Sequence, residues 1–270
     1  MKPTLRRWIP EALRDVANRA LGAAIRHEGP FDDWATAAAR GAGYDDDRVL
    51  RRVRAATEAA LADADLYEQD GTVQQGPAPA SDALAALLLA AARDGHLSVL
   101  DLGGGLASHV LRWRQPLAAL PRWRWCVVEQ PHYVAAGTQL FAAMPNVAFQ
   151  DSIAAARGLS QPNAVLASSV LQYLPDPVAA VRDIVAAQPT VIVIDRTPFA
   201  DDGVSRIVVQ HVPPILGKAS YPMRVLSRDE IEAPLHEDYR LLHRFVSEDR
   251  PVRLPGANAR FGGSAWVRRP

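Results

Sequence analysis

From residue 97 to residue 195, short apolar runs alternate with segments whose apolar residues recur at helical spacing. That alternation predicts a parallel sheet with crossover helices. The strands fall at 97–102, 123–129, 147–149, 164–168 and 191–195, the last a Val/Ile run typical of a strand buried on both faces. Helices fill the gaps at about 105–115, 132–142 and 176–187, the third with Asp176 as cap and Pro177 in its first turn.

Before this region, residues 11–28 set Leu13, Val16, Ala17, Ala20, Leu21, Ala24 and Ile25 on one face, with Arg14, Arg19 and Arg26 off it. The pattern predicts a basic amphipathic helix ended by Gly29-Pro30. Such a helix can dock on its own domain, or meet a membrane or an acidic partner. Residues 32–41 predict a short helix with Asp32 as N-cap, broken by Gly41 and Gly43. A longer helix starts at 45–47 and carries Val49, Leu50, Val53, Ala56, Ala60 and Leu61. Its three leading aspartates suit a helix N-terminus and lack the spacing of a calcium loop. Residues 71–80 read as a linker, followed by an Ala/Leu-rich helix over about 81–94 that stops near Gly95. The expected organisation is a helical cap at 1–76 and an α/β domain at 77–270.

Beyond Asp195 the alternation stops. Residues 196–226 are proline-rich and mixed, which predicts an irregular lid or substrate loop. Ser227 to Glu230 open a short helix with a capping-box arrangement. Residues 239–246 and 260–267 read as strands forming an antiparallel hairpin at the sheet edge.

Composition narrows the partners. In 270 residues, 30 Lys and Arg balance 30 Asp and Glu, so nothing global points to nucleic acid. The single cysteine, Cys126, excludes an internal disulfide and sits in a predicted strand as an inert thiol. The longest apolar run, 83–92, is shorter than the roughly 20 residues of a bilayer span. Pro10, Glu11 and Arg14 interrupt any signal-peptide core. The expectation is a soluble cytoplasmic protein without stable membrane insertion. The N-terminal helices can serve as a lid or as the interface of a homodimer.

The chemistry centres on residues 98–105, Ser-Val-Leu-Asp-Leu-Gly-Gly-Gly. A strand ending in a carboxylate and then glycines lets a ligand approach the main chain at the mouth of an open sheet. Glu129 ends the next strand at about the 20-residue spacing where an acid meets ribose hydroxyls. Asp151-Ser152, after the third strand, is placed to face an adenine amino group. Two ligands remain open. A dinucleotide wants a third glycine where this chain has Ser108. S-adenosylmethionine needs no phosphate seat but wants a polar group at its amino-acid end, a task Asp101 fits.

The stretch Val99 to Gly105 resembles the first motif of class I S-adenosylmethionine-dependent methyltransferases, and Ala167 to Pro177 resembles their fourth-strand motif. More narrowly, the chain resembles a bacterial family assigned as methyltransferases and often associated with surface-polysaccharide gene clusters. Its pattern appears here in Trp125 to Pro131, Asp195 to Phe199, Val209 to Pro214 and Ala219 to Pro222. The resemblance covers about 97–246; Ile215 to Lys218 lack an expected tyrosine, and the tail after Ser247 is less similar. It implies a Rossmann-like class I methyltransferase fold, with S-adenosyl-L-methionine as cofactor. Gly103 and Gly105 would pass under it, Asp101 would hold its amino group and Glu129 its ribose. Asp151 and Ser152 would face the adenine, and Ser168 and Ser169 would close the pocket.

The implied reaction is O-methylation of a sugar or another small hydroxylated metabolite, a small-molecule acceptor. A nicotinamide-dependent oxidoreductase and a non-catalytic cofactor-binding scaffold are the competing readings. Candidates for the chemistry are His211 as base, Arg196 as binder of an anionic acceptor and Tyr221 as acceptor-site lining. Each has a structural alternative: a hydrogen-bonding histidine, an ion pair of Arg196 with Asp201 or Asp202, a packed aromatic. His109 and His132 read as capping or packing residues. No zinc spacing, nucleophile elbow or P-loop is present, and no metal is expected.

Overall fold

The computed structural model describes residues 25–41, 47–79, 81–213, 219–247, 249, 251–254 and 256–270. Most of the amphipathic segment 11–28 lies outside them, as does the start of the helix expected from 45. Where the description begins, Arg26–Phe31 is a strand, β1, and not the end of a helix. Helix α1, Trp34–Arg40, is capped by Asp33 and not Asp32; the Asp33 carboxylate accepts from the Thr36 N–H. Helix α2 spans Asp47–Ala62.

The expected linker at 71–80 is in part a hairpin, β2 Leu66–Gln69 with β3 Thr72–Gln75. It is held from outside: Arg52 Nε donates to the Gly71 carbonyl at 3.0 Å, and Arg114 Nη2 donates to Leu66 at 2.9 Å and Ala60 at 2.7 Å. Helix α3, Asp82–Asp94, starts at the Ser81 cap and ends at Gly95 in the left-handed region (φ +71°).

The doubly wound, Rossmann-like part follows. Strand β4 is Leu97–Leu102, and the expected helix 105–115 is two short ones, α4 Ser108–Arg112 and α5 Arg114–Ala118, meeting at Trp113. Then come β5 Trp123–Val128, α6 Pro131–Leu140, β6 Val147–Gln150 and α7 Ile153–Leu159. Strand β7 Ala164–Ser168, a 3-10 turn Leu171–Tyr173, α8 Pro177–Ala186 and β8 Val191–Ala200 complete the alternation.

The described residues of 196–226 are not an irregular loop. They continue β8 and then form β9 Arg206–Val212 and β10 Ala219–Val225, which pair antiparallel. Strand β1 pairs on the other side of β9, giving a three-stranded sheet β1-β9-β10. The capping box of α9, Arg228–Glu232, runs through Ser205: the Ser205 hydroxyl accepts from the Ser227 N–H at 2.7 Å and donates to Glu230 at 2.6 Å. The chain ends with β11 Tyr239–Val246, β12 Val252–Leu254 and β13 Ala257–Arg268.

The main sheet has the order β11-β13-β8-β7-β4-β5-β6, with β12 beside β13. Strands β4 to β8 pair in parallel, and β13 runs antiparallel between β8 and β11. Successive residues feed opposite layers: Val99, Val191 and Val193 join one apolar core, Leu100, Ile192 and Ile194 the other. Two-sided burial explains the unbroken apolar runs. Strand order reverses between β4 and β7, so a crevice is expected past their carboxyl ends. No described helix is long and apolar enough to cross a membrane.

Candidate functional site

The glycine turn leaves β4 with Gly103 at φ +70° and Gly105 at φ +58°, conformations that favour glycine. A Cβ on Gly103 would lie 2.4 Å from a Val170 methyl, and one on Gly104 would lie 2.5 Å from the Asp101 carboxyl carbon. Gly105 is different: the nearest atom to its Cβ would be Ser108 Oγ at 3.7 Å, so its face of the turn is open. Three non-glycine residues around the same edge also have positive φ: Ala107 at +56°, Ser169 at +56° and Arg196 at +46°. Strain gathered at one strand edge is a mark of a functional site.

Asp101 is fully buried. Its Oδ2 accepts from Trp125 Nε1 at 2.9 Å and lies 3.1 Å from His109 Nδ1, while Oδ1 has no partner. Glu129 Oε1 accepts from the Gly105 N–H at 3.3 Å, and Oε2 from the Gln130 N–H at 2.9 Å. Burial pushes the Glu129 carboxyl above its ordinary value, and the charge of Asp101 adds to the effect. Asp195 and Glu68 are likewise raised, each chiefly by burial. Glu68, in β2, is brought over α4 beside Ser108, with its Oε1 accepting from Gly71 at 2.6 Å. Four carboxyl groups, from β2, β4, β8 and the residue that follows β5, therefore surround one turn.

His109 stacks on Trp113 at 4.9 Å and contacts Asp101, whereas α4 is capped by Ala107. Packing was legible; capping is replaced by the carboxylate contact. Ser152 caps α7 through the Ala155 N–H and donates to Asp151 at 3.2 Å. Ser168 donates to Asp195 Oδ2 at 3.1 Å, and Ser169 Oγ accepts from Gln172 at 3.1 Å. Burial pushes the Cys126 thiol up to about 11, which keeps it protonated at neutral pH.

The remaining candidates separate. Arg196 pairs with neither Asp201 nor Asp202, which face Arg260 and Arg206. Its guanidinium holds Asp70 at 3.0 and 2.9 Å and Asp249 at 2.9 and 2.8 Å, two bidentate pairs. Tyr221 accepts from Gln210 Nε2 at 2.9 Å and meets Tyr173 edge-on at 5.4 Å. His211, next to Gln210, points to the opposite face of β9, where its Nε2 lies 3.0 Å from Glu28. The structure thus brings Tyr221 to the β7 exit and leaves His211 on the side covered by α1. Glu68, Asp70 and Asp249 carry no local signal in the sequence; each is recruited by a distant element. A shallow depression lined by Val178, Arg182, Glu230, Ala233 and Pro234 holds none of these residues.

No family model matches this chain, and no curated protein does. Solved structures similar to it include the N-terminal domain of EvdMO1 with SAH and D-fucose (18% identity, TM-score 0.48, 83% of this chain and 98% of that one). Another is the glycopeptide N-methyltransferase MtfA with S-adenosylmethionine (11%, TM-score 0.45, 72% and 97%). A third is CalS10, an amino pentose methyltransferase from Micromonospora echinaspora (17%, TM-score 0.40, 70% and 92%).

Proposed function

We propose that this chain is an S-adenosylmethionine-dependent methyltransferase acting on a hydroxyl of a sugar or another small hydroxylated metabolite. The observation that carries the reading is the charge around the glycine turn. Asp101, Glu129, Asp195 and Glu68 converge there, three of them raised by burial, and Asp101 keeps a buried oxygen without a donor. A diphosphate would meet like charge at this edge. A ligand carrying an ammonium and a sulfonium meets opposite charge and completes the Asp101 valence.

When bound, S-adenosylmethionine supplies an electrophilic methyl group on sulfur. In this assignment Asp101 Oδ1 accepts from the cofactor's ammonium and Glu129 from its ribose hydroxyls. Gly103 and Gly105 give the backbone close approach, Gly105 on the open side. Asp151 and Ser152 face the adenine, and Ser168 and Ser169 bound the crevice toward β8. Arg196, filled by two carboxylates, fastens the 66–75 hairpin over the edge. Positioning of a hydroxyl against the methyl supplies much of the acceleration.

Calorimetric titration with S-adenosylmethionine, S-adenosylhomocysteine and NAD tests the reading. Saturable binding of the first two is expected. Binding of NAD alone, or of none of the three, overturns it.

A further inference from the structure

Four stretches singled out in the sequence, far apart along the chain, meet at one junction beside the glycine turn. The turn after β7 brings Gln172 and Tyr173, β8 brings Arg196, β9 brings Gln210 and β10 brings Tyr221. Val170 connects this junction to the cofactor edge, since its methyl fills the space a Cβ on Gly103 would take. Gln210 stands on one rung between His27 of β1 and Tyr221 of β10. Its amide holds the Tyr221 hydroxyl, and Tyr221 packs edge-on against Tyr173.

Gln172 is the informative member. It is fully buried, and its Nε2 donates to Ser169 Oγ at 3.1 Å and to the Arg196 carbonyl at 3.2 Å. Both of those residues have left-handed backbone. Its Oε1 has no partner. A buried amide oxygen without a donor is a costly arrangement that a ligand hydroxyl would relieve. Around it stand aromatic edges, the Gln210 amide already bonded to Tyr221, and the hydrogen-bonded phenols of Tyr173 and Tyr221, a mixed apolar and polar lining that suits a saccharide ring. The guanidinium at this junction, Arg196, is already committed to Asp70 and Asp249 and offers an anion no seat.

We infer that the Gln172–Tyr173–Tyr221 junction is the acceptor site, and that it takes a neutral saccharide and not a carboxylate- or phosphate-bearing one. The inference rests on the methyltransferase reading. In it, Gln172 Oε1 accepts from an acceptor hydroxyl, and the two tyrosines form the wall that directs the ring toward the methyl group.

Saturation-transfer NMR on the full chain with S-adenosylhomocysteine present tests it. The probes are D-glucose, D-galactose and L-rhamnose against D-glucuronate and D-glucose 1-phosphate. At least one neutral sugar should give saturation transfer, and the acids should not. Gln172→Ala, which removes the acceptor oxygen, and Tyr221→Leu, which removes the ring wall, should each weaken that sugar by about tenfold, leaving S-adenosylhomocysteine affinity unchanged by calorimetry. Binding confined to the acidic sugars, neutral-sugar binding indifferent to both variants, or no sugar binding in a protein that holds S-adenosylhomocysteine would each overturn the inference alone. Failure to bind S-adenosylhomocysteine would instead overturn the methyltransferase reading.

Discussion

Neutral His27 makes the fold acid-sensitive, and the size of the effect follows from its surroundings. His27 sits in β1 opposite Gln210, and its Nε2 is buried without a partner. Burial is the main cause that lowers its pKa from 6.5 to about 4; the Gln210 hydrogen bond works against this, and neighbouring His211 adds to it. In the unfolded chain the imidazole takes up a proton as the pH falls below its ordinary value, while the folded protein resists until about 4. Between these values the unfolded chain binds more protons, so stability is complete above the window and falls as pH falls through it. At about pH 4.5 the accumulated loss is about 2.5 kcal/mol relative to pH 7. Urea unfolding of the wild type and His27→Gln at the two pH values isolates it, because the carboxylates common to both proteins cancel in the difference. The wild type should lose about 2.5 kcal/mol more than the variant. Equal losses would show that His27 is not held neutral by burial, and the reasoning fails.

Other outcomes follow from single contacts. Gly105→Ala should lower S-adenosylmethionine affinity and cost about 1 kcal/mol of stability from backbone strain at φ +58° alone, since its Cβ meets no protein atom closer than 3.7 Å; unchanged affinity would remove Gly105 from the cofactor path. Gly103→Val should destabilise the fold as well, by about 1–3 kcal/mol from collision with Val170, which a thermal melt would show. Arg196→Lys cannot keep two bidentate carboxylate pairs, so amide exchange in residues 69–75 should accelerate; unaltered protection would mean the hairpin is held without the latch. Gly137→Ala would place a methyl 2.3 Å from the Phe149 ring, and a net loss of about 1–2 kcal/mol is expected after its helix-propensity gain; a stability at or above wild type would refute the clash.

How much the sequence revealed depended on whether a segment's burial is local. Strands β4, β7 and β8 are sandwiched between two apolar layers, so their composition alone marked them. The glycine turn and its acids were readable for the same reason: they follow immediately from those strands. Strands β9 and β10 carry Gln210, His211 and Pro222 amid apolar residues, and their third partner, β1, lies about 180 positions away in register. No local pattern encodes that pairing. The 66–75 hairpin has linker composition and owes its place to Arg52, Arg114 and Arg196, all supplied by other elements. The acceptor junction was visible in pieces, as Gln172-Tyr173, Arg196 and Tyr221, but its assembly depends on the same long-range pairing. The period of two also divides Tyr221 from His211: Tyr221 pairs with Gln210 and shares its face, whereas His211, one residue along the strand, falls on the other.

The position of β13 has a consequence for the order in which the protein can be made. Residues 257–268 occupy the middle of the half-sheet between β8 and β11, not its rim. While the chain is being synthesised, β4 to β8 are available well before β13 leaves the ribosome. During that interval one side of β8 has no neighbour, although Val191 to Ile194 end up with no exposed surface. A growing chain therefore presents an apolar, unpaired strand edge for the time it takes to translate the stretch from the end of β8 at Ala200 through β13 at Arg268, at roughly 5–20 residues per second. Such an edge invites pairing with other chains. Completion of the sheet on this side waits for residues 257–268, and a nascent chain stalled before residue 257 should be a strong client for chaperones that shield open β edges.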